Sequence, residues 1–68
     1  MALSYEFLME RAKQAEQEAA LALLDNVRER ALRSEKAWRM MAHQVQEITR
    51  NRELARQTKL IAQEQATL

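Results

Sequence analysis

Hydrophobic residues recur along the chain at alternating intervals of three and four, the spacing of a helix that packs on another helix. The first such series, mostly alanine, runs through Tyr5, Leu8, Ala12, Ala15, Ala19 and Ala22. The second, which is bulkier, runs through Val27, Ala31, Ser34, Trp38, Met41, Val45 and Ile48. Each series predicts one amphipathic helix, and large residues on one helix can fill the space left by small residues on the other.

A break between these helices is predicted at Asp25-Asn26, the one turn-like pair in a chain without glycine or proline. Asn26 is followed three residues later by Glu29, which approximates a capping box. Ser4 is a suitable N-cap for the first helix. The pattern therefore predicts helix 1 over about residues 4–24, a turn at 24–26, and helix 2 over about residues 27–63.

We expect an all-α fold in which the two helices form an antiparallel hairpin, with Trp38 facing Ala12. The alternative is one unbroken helix, which joins the two series through a stutter in a long coiled coil. After Ile48 the hydrophobic positions shift to Leu54, Ile61 and Leu68. Helix 1 is too short to cover this stretch, so residues 49–68 either continue helix 2, which we favour, or fold back.

Chain length and composition point to self-association. The 68 residues allow a single domain, and a domain of this size needs a disulfide, a metal or a partner to be stable. The chain has no cysteine and one histidine, which excludes disulfides and thiolate or histidine-cluster metal sites within it. A homodimer forming a four-helix bundle is therefore predicted. The residues expected at its interface are Trp38, Met40, Met41, Val45, Ile48, Leu54 and Ile61.

Charge is distributed unevenly although the net charge is +1. Residues 1–26 carry two basic and five acidic side chains, and residues 27–68 carry nine and five. This asymmetry favours helices that lie side by side. Arg52, Arg56 and Lys59 share one helical face and are candidate nucleic-acid contacts. Glutamates interleave with them, so a solvated face is favoured and nucleic-acid binding is not.

Catalytic and metal chemistry lacks the residues it needs. His43 and Glu47 share a face, but a metal site requires three or four ligands. Glu10, Glu16 and Glu18 are the candidate acid/base carboxylates, and two thin helices cannot enclose the cleft that such a pair requires. We therefore expect no catalytic residue, no cofactor, no metal and no small-molecule substrate.

Targeting signals are also lacking. The chain has no run of about 18 apolar residues that could span a membrane. Its first residues lack the basic and apolar regions of a secretory signal. These features predict a cytoplasmic protein.

Three segments resemble small bacterial helical-hairpin proteins of unknown function: Arg11–Glu16, Leu24–Arg30 and Ala37–Ala42. The resemblance covers about residues 5–45. It implies a bacterial origin and a helical hairpin, and it assigns no activity and no site.

The function predicted from these observations is a non-enzymatic structural or protein-interaction module that self-associates. Two alternatives remain open. One is a small adaptor or chaperone-like inhibitor that captures a helix of another protein. The other is a nucleic-acid-binding accessory that uses the basic face of helix 2.

Overall fold

The computed structural model describes residues 3–66, which form two α-helices. Helix α1 spans Tyr5–Leu21 and helix α2 spans Asp25–Ala66, with no strand among the described residues. The all-α prediction is confirmed. The alternative of a single unbroken helix is wrong, because residues 22–24 are not helical.

The start of α1 is the one predicted from the sequence. Ser4 has an extended backbone, with φ −83° and ψ 156°, and its Oγ accepts a hydrogen bond from the Phe7 backbone N–H at 3.1 Å. This side chain satisfies one of the donors that every helix leaves unpaired at its first turn. Glu6 lies in the same turn, where its charge complements the helix dipole.

Helix α1 ends earlier than predicted, at Leu21 rather than residue 24. Ala22 leaves the helical conformation, with φ −69° and ψ 129°, and its N–H donates to the Ala19 carbonyl at 3.3 Å. The connection is therefore residues 22–24 and not 24–26. Neither glycine nor a positive φ is needed, because an ordinary extended alanine makes the break.

Helix α2 begins two residues before the predicted Val27, so the proposed Asn26 cap is wrong. The Leu24 carbonyl accepts the first hydrogen bond of the helix, from Arg28 N–H at 3.0 Å. Asp25 lies inside the first turn, where an acidic residue is as favourable as it is at a cap. The Arg28 guanidinium lies 3.6 Å from the Asp25 carboxylate and donates to the Ala22 carbonyl at 3.2 Å. Arg28 therefore ties the start of α2 to the end of α1.

The two helices pack together through a small core. The fully buried residues are Leu8, Ala12, Ala15 and Ala19 of α1 and Ala31 and Ala42 of α2. Four of the six positions in the predicted series of helix 1 are therefore buried, whereas Tyr5 is 38% exposed and Ala22 lies outside α1. Ala42 lies outside the predicted series of helix 2. Trp38, Met41 and Val45 are partly buried on the face of α2 that meets α1. Close approach of two small-residue faces therefore holds the pair together.

Helix α2 extends far beyond the part that α1 covers. With 17 and 42 residues, the helices are about 26 Å and 63 Å long. The molecule measures 67 × 19 × 16 Å, and every residue from Ile48 to Ala66 is exposed. The preferred prediction, a continuous helix 2, is confirmed; it is helical through Ala66, beyond the predicted residue 63, and Leu68 lies outside the described residues.

Enlarging a side chain in this core should weaken the hairpin. Ala12 is fully buried, so we expect Ala12→Leu to lower the free energy of unfolding by about 1–3 kcal/mol through overpacking. Urea unfolding followed by circular dichroism measures the change. Ala20→Leu, at an exposed position of the same helix, is the matched control and should have little effect. Equal unfolding midpoints for the two variants would contradict this packing.

Candidate interaction surfaces

An aromatic cluster forms where the start of α1 meets the middle of α2. The rings of Phe7 and Trp38 meet edge to face, with centroids 6.3 Å apart and an interplanar angle of 86°. The Arg11 guanidinium carbon lies 5.2 Å from the centre of the Trp38 ring, within the range of a cation–π contact. Two side chains of α1 that precede the predicted Ala12 position thus contact Trp38, and Phe7 remains 46% exposed.

One ion-pair network joins the two helices. Arg39 donates from Nε to Glu35 at 2.7 Å within α2, and from a terminal nitrogen to Glu16 of α1 at 3.0 Å. The hydrogen bond to Glu35 raises the pKa of Arg39 above its ordinary value, and the negative charges of Glu35 and Glu16 act in the same direction. The charge asymmetry of the sequence therefore appears as a contact across the hairpin, although at exposed positions it contributes little stability.

The three candidate nucleic-acid contacts lie beyond the end of α1. Arg52 and Lys59 follow Trp38 and Val45 at intervals of seven residues, so they extend the face that meets α1 farther up the helix. Arg56 is hydrogen-bonded to Glu53 at 2.6 and 3.1 Å. That bond lowers the pKa of Glu53 and raises the pKa of Arg56. Among residues 3–66, Arg52 and Lys59 have no acidic partner.

A second hydrophobic stripe lies on the opposite side of α2. Met40 is two residues from Trp38, which is about 200° around the helix. Leu54 and Ile61 follow Met40 at multiples of seven residues, and Leu32 lies two turns before it. We call Leu32, Met40, Leu54 and Ile61 the outer stripe; they are 48%, 57%, 50% and 55% exposed. Around its first half is an open groove of about 530 Å³, lined by α2 residues including Leu32, Lys36, Met40 and His43.

The seven predicted interface residues are divided between these faces. Trp38, Met41 and Val45 are partly buried against α1, whereas Met40, Leu54 and Ile61 belong to the outer stripe. Ile48 is 51% exposed and lies at the point where α1 coverage ends. Leu32 was not among the predicted interface residues, although its spacing from Met40 places it on the same face.

Phe7, Met9 and Met40 lie on different surfaces. Met40 lines the groove of the outer stripe, Met9 lines a separate groove with Glu10 and Glu16, and Phe7 contacts Trp38. Glu18 lines a third groove, so the three candidate carboxylates do not converge. Glu16 serves instead as a partner of Arg39.

Residues that could bind metal are also separated. Within residues 3–66 no three His, Cys, Asp or Glu side chains are grouped so that they could hold a metal ion. His43 lines the groove of the outer stripe, and Glu47 pairs with Arg50 at 3.8 Å. Neither described helix is both long enough and apolar enough to cross a membrane.

Comparison of the chain with models of protein families, with curated proteins and with solved structures found no match. The resemblance to bacterial helical hairpins therefore stays a prediction.

The aromatic pair offers a test of how α1 is placed on α2. Phe7→Leu keeps an apolar side chain but removes the ring that meets Trp38. We expect it to lower the free energy of unfolding by about 0.5–1.5 kcal/mol, the range for such aromatic pairs, and to change the fluorescence of the only tryptophan. Tyr5→Leu, which also replaces an aromatic residue of α1, should leave the Trp38 emission unchanged. An identical emission shift in both variants would contradict the assigned contact.

Proposed function

We propose that this chain is a non-enzymatic interaction module that self-associates through helix packing, as a dimer of hairpins with four helices. The observation that carries the proposal is the outer stripe. Four large hydrophobic side chains lie along one face of α2, and α1 packs on the other face. Apolar surface aligned at helical spacing is what a second helix covers.

The surface area of the single chain supports the same conclusion. The chain exposes 6094 Å², whereas a compact protein of 8.0 kDa exposes about 4,450 Å². Its radius of gyration is 19.0 Å, against about 11 Å for a compact domain of this length. The excess area exceeds the roughly 800 Å² that each partner contributes to a standard interface. The extended shape therefore leaves ample surface for a dimer.

The free end of α2 also needs support from another molecule. Residues 49–66 form about 18 residues of helix, all of them exposed. Isolated helices shorter than about 12–15 residues are marginal in water, and slightly longer ones gain most of their stability from packing. The ion pair between Glu53 and Arg56 helps only locally, because it is exposed. Packing of the outer stripe on a second chain would stabilise this end of α2.

The same stripe supports one second candidate, capture of a helix from a different protein by a monomeric adaptor. It predicts that the chain stays monomeric when alone. Nucleic-acid binding has less support, since Arg56 is engaged by Glu53 and only Arg52 and Lys59 remain unpaired on that face among the described residues.

Self-association can be measured by sedimentation equilibrium. At micromolar concentration we expect a mass of about twice 8.0 kDa for the unmodified chain. The double variant Leu54→Gln with Ile61→Gln should be monomeric, because it removes half of the outer stripe. Arg52→Gln with Lys59→Gln, which alters the opposite face of the same segment, is the matched control and should remain dimeric. A fully folded monomer for the unmodified chain would favour the adaptor function instead.

A further inference from the structure

We propose that the outer stripe packs on the α2 helix of a second copy and that the two helices run antiparallel. This inference rests on the proposed self-association. The stripe is self-complementary in that direction. When Met40 lies opposite Leu54 of the second copy, Leu54 lies opposite its Met40. Leu32 then lies within one residue of the position opposite Ile61, and the two-fold axis passes beside Glu47. A two-fold interface requires this reciprocal pairing of one patch with itself.

Other antiparallel registers fit the stripe poorly. Sliding one helix by seven residues places Leu54 or Met40 opposite Glu47 of the second copy. Such a shift leaves apolar side chains against a carboxylate that is partnered only by Arg50 of its own helix. The register centred on Glu47 is therefore the one that pairs all four apolar residues of the stripe.

Charge favours the antiparallel direction over the parallel one. In a parallel pair each residue meets its own copy, so Lys36 would face Lys36 and Arg50 would face Arg50, and like charges oppose association. The antiparallel register instead places Lys36 near Thr58 and Arg50 near Gln44 of the second copy. Glu47 meets its own copy in either direction, so this pair does not decide between them; in each chain Arg50 lies one turn away on the same helix, 3.8 Å from Glu47.

The length of α2 gives an independent reason for this register. With Met40 opposite Leu54, the two 42-residue helices come within about three residues of complete overlap. Residues 49–66 of each chain then lie along the groove beside Leu32, Lys36 and Met40 of the other. Each α1, about 26 Å long, covers the first half of its own α2, so the two α1 helices occupy opposite ends and do not collide. One arrangement thus covers both the stripe and the free end.

Distances between spin labels in the intact dimer test the register, since the chain has no cysteine of its own. Gln46→Cys and Gln57→Cys place labels at two exposed positions at the edge of the outer stripe. With the axis beside Glu47, positions 46 lie about 3 Å apart along the helices and positions 57 about 30 Å apart. Combined with about 10 Å between the helix axes, these offsets mean that double electron–electron resonance should give a distance longer by about 20 Å for the second variant than for the first.

Each outcome is decisive when read with the sedimentation mass of the same labelled samples. A dimer with equally short distances at both positions would mean parallel helices and overturn the register. A dimer with long distances at both would place the interface on another surface, and it too would overturn the inference while leaving self-association intact. A monomer in both samples and in the unmodified chain would overturn the proposed function along with it.

Discussion

The length difference between the two helices governs the rest of this structure. A 17-residue helix can cover no more than the first half of a 42-residue helix. The covered half can bury a hydrophobic seam within one chain, and the uncovered half cannot. Over residues 49–66 the face that α1 would meet carries the charged residues Arg52 and Lys59 beside Leu60. Leu54 and Ile61 are on the other side.

The shift of the apolar residues of α2 from the face that meets α1 to the outer stripe is difficult to account for in a lone hairpin. If α2 existed only to pack on α1, its hydrophobic seam would end at Ile48 and a fully polar helix would follow. Instead, a second seam overlaps the first over Leu32 and Met40 and continues to Ile61. Over residues 32–45 the helix therefore packs one face on α1 and presents Leu32 and Met40, with Lys36 and His43 beside them, on the other. In the dimer that we propose, the second chain covers this outer face.

The sequence predicted the helices, the Ser4 cap and the alanine face because each depends on local spacing or a single side chain. Leu8, Ala12, Ala15 and Ala19 recur at helical intervals, and their burial follows directly. The predicted position of the turn was wrong because Asp25 is suited both to a helix cap and to the first turn of a helix. The choice depends on Arg28, whose bond to the Ala22 carbonyl joins residues on two helices.

Contacts of Trp38 show a similar limit. Its position in the seam was predictable, but its partners were not, because Phe7 and Arg11 lie on the flank of α1 and their contacts depend on how far the helices rotate about their axes. Arg39 and Glu16 depend on the same rotation, and the uneven charge of the two halves indicated only that such a pair was favourable. The spacing of apolar residues therefore predicts which face of each helix is buried. The contacts of side chains at the edge of that face depend on how the two helices are rotated, which the spacing does not determine.

A small core has a consequence for how folding and association would depend on one another. Leu8 is the one large side chain that is completely buried among the described residues, and the other fully buried positions are alanines, which contribute little hydrophobic area. Such a hairpin is marginal by itself. In the dimer that we propose, covering the outer stripe adds Leu32, Met40, Leu54 and Ile61 to the buried surface. Part of the hydrophobic stabilisation then comes from the second chain, so the stability of the fold would rise with protein concentration.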